Sequence, residues 1–294
     1  MCLPASWLEG IICLIYKGKG LPRALMASYR PIALLNTDFK LLSLAQAGRL
    51  QAAAYPLVSL LQTAFVNGRD ITDNALHHLT LQDDLSSSEQ PGALLILDLE
   101  AAYDRVDRGW LHSVIAAMGF GHNMQTWLRL LLAPSVAQVT VNGHLSTAFP
   151  VRNGLAQGSP ISPLLWALQL EPLTAYLRQQ RAQGGLQTPA LPSGQPAPPV
   201  MHHADDTKLL VSDVHAHGPA AMAAVALYAR ASNAKVNTAK CRGIVMGTHA
   251  PVWGAHGGTG VDFGSEPVEG RPLPPPPRVL GVPLLADHER ATTL

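Results

Sequence analysis

The chain has 294 residues, enough for one large domain or two smaller ones with a substantial core. Charged residues make up only 14% and the net charge is +1, so no bulk field marks a nucleic-acid binder; basic residues would have to cluster locally or come from other domains. Three cysteines without a CxxC pair exclude a disulfide framework and point to a reducing, intracellular compartment; no stretch approaches the roughly 18 apolar residues of a membrane span, which leaves a soluble chain.

Ile11–Gly20 reads as a strand running into a basic glycine turn. Lys40–Gln51 has helical spacing, with Leu41, Leu44, Ala45 and Gly48 on one face. Arg30, Lys40 and Arg49 are candidates to converge on a polyanion, since Arg and Lys are the usual phosphate partners; the alternative is that they only solvate a surface. Phe65–Arg69 reads as a strand end and tight turn. A helix starting near Thr72 or Asp73 would carry Leu76 and Leu79 inward and leave His77 and His78 exposed. Asp83-Asp84 and Ser86–Gly92 read as polar, solvated loop.

Ala93–Leu97 is a continuous apolar run bounded by Pro91-Gly92 and Asp98, the pattern of a fully buried strand. A carboxylate at the end of such a strand is costly unless paired or coordinated, which singles out Asp98. Leu111, Val114, Ile115 and Met118 then fall at i, i+3, i+4 and i+7, with Gly119 as C-cap. Asp98 therefore stands at a strand-to-helix junction, with Tyr103 and Asp104 on the intervening turn. Trp127–Leu132 continues as helix, and Ala137–Val141 with Asn142-Gly143 reads as a hairpin strand and its turn. The loop Arg152–Pro163 ends in two Ser-Pro steps that suit a helix start, followed by a long helix with Leu164, Leu165 and Leu168 inward and a bend at Pro172. In that loop Gly158 leaves room for a flat group to approach the backbone, and Gln157 offers a donor and an acceptor. Gln183–Pro199, rich in Pro and Gly, reads as a flexible insertion.

The densest chemistry lies in Val200–Val211. Asp205 and Asp206 fall between two short runs that can pair as strands, which puts the acids at a hairpin tip. Adjacent carboxylates repel, and hard oxygen donors in this number suit Mg²⁺. Pro219–Asn233 reads as an alanine-rich helix, Lys240 precedes the apolar strand Gly243–Met246, Thr248–Pro277 is a Gly- and Pro-rich tail, and Arg278–Val282 is a last short strand. A zinc centre built from His202, His203, His215, His217 and Cys241 matches no standard ligand spacing.

Seven blocks, in order from about residue 10 to 285, resemble the reverse transcriptase of non-LTR (LINE-type) retrotransposons. They are Tyr29-Arg30-Pro31-Ile32 with Leu35-Asn36 and Lys40; Phe65-Val66-Asn67-Gly68-Arg69 with Asp73-Asn74; and Asp98 through Tyr103-Asp104 to Asp107. Gly154–Pro163, His203-Ala204-Asp205-Asp206, Asn237 with Lys240, and Leu280-Gly281 follow. The resemblance implies an α+β right-hand polymerase: a palm with a ferredoxin-like antiparallel sheet backed by helices, plus fingers, the thumb largely absent. It divides the chain into a fingers-like part (1–90), a palm (91–247, with 183–199 as the insertion), a linker (248–277) and a last palm strand leading into a missing thumb (278–294).

The implied chemistry is RNA-directed DNA synthesis, in which a primer 3′-hydroxyl displaces pyrophosphate from a dNTP. Two Mg²⁺ ions, with Mn²⁺ as a possible substitute, would be held by Asp98 and Asp205, with Asp206 as third carboxylate. By the same resemblance Tyr103 excludes a 2′-hydroxyl by bulk, Gln157 and Gly158 border base and sugar, and Arg30, Lys40 and Arg49 are candidates for the triphosphate. Lys240 would protonate the leaving pyrophosphate. The implied partners are an RNA template, a DNA primer and dNTPs, in a nuclear setting, with the element's endonuclease and thumb outside this chain. Two departures stand out: His203 replaces the usual aromatic residue, and Ala101 stands where Lys is frequent. The alternative expectation is a nucleic-acid-binding fragment with little or no turnover.

Overall fold

A computed structural model describes residues 3–18, 20–250, 252, 254–256, 259–264, 278–279 and 282–283. The first elements are β1 (Glu9–Tyr16), β2 (Tyr29–Leu35), α1 (Thr37–Ala54), α2 (Ile71–Ser87), β3 (Gly92–Leu97), α3 (Ala102–Arg105), α4 (Arg108–Ala117) and α5 (His122–Leu131). There follow β4 (Ser135–Val141), β5 (His144–Leu145), β6 (Phe149–Val151), α6 (Ser162–Ala182), β7 (Val200–His203), β8 (Asp206–Val211) and α7 (Val214–Ser232). Last come β9 (Arg242–Met246), β10 (Ala255–His256), β11 (Val261–Asp262), β12 (Arg278–Val279) and β13 (Val282–Pro283). The chain divides into two compact units, 1–57 with 101–169 and 58–100 with 170–294. Each draws on two separate segments, so the contiguous division at residue 90 expected from sequence does not match the contacts. No described helix is long and apolar enough to cross a membrane.

In the first unit, β1 pairs antiparallel with β2 and parallel with β4, giving the order β2-β1-β4-β5, with β6 also on β4. The β4–β5 turn is Asn142-Gly143, with φ of 50° and 81°, as a two-residue hairpin of primed type requires. Asn36 caps α1 by accepting from the amides of Asp38 and Phe39. That helix buries Phe39, Ser43, Gln46, Leu50 and Ala54, while Leu41 and Leu44 stay 61% and 58% exposed. The stripe picked out by spacing is thus the outer face. Apolar residues recur on both sides of this helix, and only the packing partner decides which side turns inward. In α4 the expectation holds: Leu111, Val114 and Ile115 are buried and Gly119 follows at φ 79°.

The second unit is organised on a six-stranded sheet, β10-β11-β9-β3-β8-β7. Four neighbouring strands of it, β9-β3-β8-β7, are antiparallel, and with α6 and α7 between them in the chain they follow the βαββαβ order of a ferredoxin-like sheet. The strand read as fully buried is β3, with only Ile96 partly exposed. On one sheet face Leu94, Leu210, Ile244 and Met246 pack with Leu81 and Leu85 of α2. Ala197 joins that cluster and Leu191 packs against it. The segment Gln183–Pro199, read from sequence as a flexible insertion, thus packs against the core: Leu186 is also buried, and Arg181 donates to the carbonyls of Pro196 and Ala197.

Helix α2 departs from expectation. Its capping box of Asp70 and Asp73 starts it earlier, and it runs through Asp83-Asp84 rather than ending before them. Leu76 is exposed, whereas Asn74 and His78 are buried. Helix α7 likewise begins ahead of Pro219, at Val214, where the Asp213 carboxylate accepts from the amides of His215 and Ala216. In the tail, β11 pairs parallel with β9, and β12 and β13 form a short antiparallel pair in place of one strand. Residues 265–277, Leu280-Gly281 and 284–294 lie outside the described residues.

Burial holds His78 neutral, with a pKa of about 3, and its two ring nitrogens have no hydrogen-bond partner among the described residues. Burial also pulls His202 down to about 4. The unfolded chain protonates both near pH 6.5, so the stability they allow is present above that value and is lost as pH falls from there toward 4 and 3. His78→Leu removes one such proton and a buried unpaired polar group. Circular dichroism during acid titration should show unfolding at lower pH than in the parent, with stability at pH 7.5 unchanged or raised.

Candidate active site

In the second unit the β7–β8 register pairs His203 with Asp206, leaving Ala204-Asp205 as the turn. Ala204 adopts φ 55°, a left-handed conformation that costs a residue with a Cβ about 1–2 kcal/mol. Gln62, fully buried, holds that residue: its Oε1 accepts from the Ala204 amide at 3.2 Å and its Nε2 donates to the Ala204 carbonyl at 3.5 Å. Beside it the Thr63 amide donates to the His202 carbonyl, and the Thr63 hydroxyl bonds His203 Nδ1 at 3.0 Å.

The β3–β8 register pairs Leu97 with Thr207, so Asp98, one step further, faces Asp206. Desolvation and the adjacent Asp205 charge, with Asp98 adding, raise the Asp206 carboxyl, while Lys208 opposes them. The Lys240 ammonium stands 3.5 Å from Asp98 Oδ2, both side chains being substantially exposed. Among the described residues no three His, Cys, Asp or Glu side chains already enclose an ion position. The donor set nonetheless suits Mg²⁺: all donors are carboxylate oxygens, and a cation would relieve the repulsion from Asp205 and Asp98 that adds to burial in raising Asp206.

The zinc alternative does not assemble. Both ring nitrogens of His202 are engaged, by Thr174 at 3.1 Å and Thr207 at 3.0 Å, and the Cys241 thiol donates to the Asn237 carbonyl.

The first unit holds Tyr103, Gln157 and Gly158. Tyr103 lies on the short α3, its ring stacked on Trp166 with centroids 5.5 Å apart. The Leu155 amide donates to the Tyr103 carbonyl, and Gln157 Nε2 donates to Asp104 Oδ1 at 3.3 Å. Burial raises the Asp104 carboxyl, and the Gln157 bond opposes that rise. Gly158 has φ 135°, and a Cβ there would collide with the Ala33 carbonyl oxygen. The group that approaches its backbone is thus β2 itself, where the Ala33 amide donates to Gln157 O at 2.7 Å. Arg108 fixes the other end of this loop, donating to the carbonyls of Gly154, Asn153, Leu132 and Ala133. Asp104, Arg108, Gln157 and Ala33 help line an adjoining cavity of ≈ 240 Å³.

Asp98, Asp205, Asp206 and Lys240 therefore belong to one unit, and Tyr103, Gln157 and Gly158 to the other. Of Arg30, Lys40 and Arg49, the candidates for a shared anion site, the last two do not point the same way. Lys40 and Arg49 are nine residues apart on α1, which turns them to opposite sides of it, about half a turn apart. Gln62, Lys208 and Arg108 were not singled out from sequence, and Asn74 entered only as part of the second motif block, without a role. Only Lys208 carries a local signal, being two residues from Asp206 on one strand and hence on the same face.

The sequence model of the family described as Reverse transcriptase (RNA-dependent DNA polymerase) matches residues 15–284. The chain is 31% identical over 249 residues to the Transposon TX1 uncharacterized 149 kDa protein of Xenopus laevis, covering 84% of this chain and 18% of that one. It is 28% identical over 152 residues to a Retrovirus-related Pol polyprotein from type-1 retrotransposable element R2 of Popillia japonica, covering 52% of this chain and 24% of that one. The chain thus spans less than a quarter of either relative. Among solved structures, apo telomerase from Candida tropicalis superposes with a TM-score of 0.58 at 15% identity, over 83% of this chain and 46% of that one, which shows a shared right-hand polymerase fold.

Two substitutions test this geometry. Gly158→Ala should cost roughly 2–4 kcal/mol in urea unfolding, because the new Cβ collides with backbone at a strained φ. Gln62→Ala leaves the Ala204 amide unpaired and should cost about 2–3 kcal/mol.

Proposed function

The chain belongs to the reverse transcriptase (RNA-dependent DNA polymerase) family, and on that premise we propose that it is the RNA-directed DNA polymerase domain of a non-LTR retrotransposon. The observation that carries this is the β3–β8 register, which sets Asp98 opposite Asp206 beside the Asp205 turn on a ferredoxin-like sheet. The substrates are a DNA primer annealed to an RNA template, and dNTPs. In the reaction the primer O3′ attacks the α-phosphorus, the new O3′–P bond forms, and the bond to pyrophosphate breaks.

Asp98, Asp205 and Asp206 would hold two Mg²⁺ ions, or Mn²⁺ in their place, which when bound stabilise the attacking and leaving oxygens. Lys240, held close to Asp98, supplies the proton that the departing pyrophosphate takes up. Tyr103 limits the sugar to one without a 2′-hydroxyl, and stacking on Trp166 keeps its ring from swinging aside. Gln157, oriented by Asp104, and the Gly158 backbone border the nucleotide. Of the basic residues, Arg30 and one of Lys40 and Arg49 remain for the triphosphate. A net charge of only +1 leaves much of the grip on nucleic acid to other domains of the element, acting in the nucleus.

Primer extension on a primed RNA template with Mg²⁺ and dNTPs tests this. The parent should extend the primer, and Asp205→Asn should lose about a hundred- to a thousandfold in rate. Undiminished extension by Asp205→Asn would overturn the assignment. With extension established, Tyr103→Ala should raise ribonucleotide incorporation.

A further inference from the structure

Lys208 is only 1% exposed, although an ammonium is among the costliest groups to bury. Side chains alternate along β8, so Lys208 projects from the same face as Asp206, about 7 Å further along the strand. Thr207, between them, turns to the other face and meets His202. Lys208 faces the side of the sheet that α2 covers, where Ile96, its partner across β3, packs against the apolar cluster. An aliphatic side chain would suit those surroundings better.

What Lys208 meets instead is Asn74 of α2. The ammonium donates to Asn74 Oδ1, and Asn74 Nδ2 donates to the His202 carbonyl at 3.1 Å. One buried amide therefore ties both strands of the acidic hairpin to one helix. His78, one turn further along α2, is held neutral by burial and by the Lys208 charge, so it adds no second cation.

We infer that Lys208, held in place by Asn74, is a positioning residue of the carboxylate site: a buried ammonium beside Asp206 that lets Asp98, Asp205 and Asp206 stand together and limits how tightly they draw a divalent cation. This rests on the reading of those acids as metal carboxylates. Asn74 holds the charge in place, and no substrate contact is assigned to either residue.

The experiment is Mn²⁺ titration into the full chain without nucleic acid or nucleotide, followed by calorimetry and by the electron paramagnetic resonance of free Mn²⁺, for the parent, Asp205→Asn, Lys208→Met and Asn74→Asp. The parent should show binding that Asp205→Asn loses. Lys208→Met should bind Mn²⁺ about three- to tenfold tighter, since a unit charge at this spacing opposes the ion, and its thermal midpoint should not fall. Its kcat for primer extension at saturating Mg²⁺ should drop while KM for dNTP stays within about twofold. Mn²⁺ affinity and extension both equal to the parent's in Lys208→Met would overturn the inference and leave the metal-carboxylate reading intact. Absence of Asp205-dependent binding in the parent would overturn both. Should Lys208→Met not fold, Asn74→Asp decides: it keeps the ammonium but sets a carboxylate against it, so tighter Mn²⁺ binding supports the inference and unchanged affinity overturns it.

Discussion

The acidic end of the second unit depends on the register of β3 against β8. Pairing Leu97 with Thr207 sets Asp98 opposite Asp206, although the two are remote in sequence. A slip of one residue would turn every side chain of β3 to the other face and carry Asp98 away from its neighbours. The apolar side chains prevent that slip: Leu94 lies opposite both Leu210 and Ile244, and all three join one cluster under α2. Hydrophobic burial at one end of the strands thus sets the electrostatics at the other.

Buried polar groups then hold the hairpin that this register delivers. Gln62 braces Ala204 in its left-handed conformation, Asn74 reaches both strands, and His202 is fixed between Thr174 and Thr207. Such groups are costly to desolvate, but once paired they specify one arrangement, whereas aliphatic packing tolerates several. Local rigidity suits a hairpin that carries Asp205 in its turn and Asp206 at the start of β8, two adjacent like charges.

The first unit shows the same economy of contacts with different parts. Its Gly154–Ser159 loop is fastened to β2 through Ala33 and to α4 through Arg108, and Gly154 and Gly158 stand where a Cβ would strike the backbone. Asp104 aims Gln157, and Trp166 backs Tyr103. These supporting residues surround the ones whose chemistry is read most easily.

Sequence alone determined whatever depends on neighbours a few residues apart. The apolar run Ala93–Leu97, the i, i+3, i+4 face of α4, the Asn142-Gly143 turn and the acids at a hairpin tip all follow from local periodicity and turn chemistry. The order of the seven blocks identified the family for the same reason, since a motif is a local string. Tertiary structure alone decided which face of α1 turned inward, that Leu191 and Ala197 of a Pro-rich stretch packed into or against the core, that His78 lay buried, and that Lys40 and Arg49 pointed apart. It also decided that Lys208 and Asn74 would meet beneath the acids. Each of these is set by a partner distant in the chain, and no periodicity encodes the partner: burial and pairing are properties of the assembled surface, not of the segment that supplies half of it.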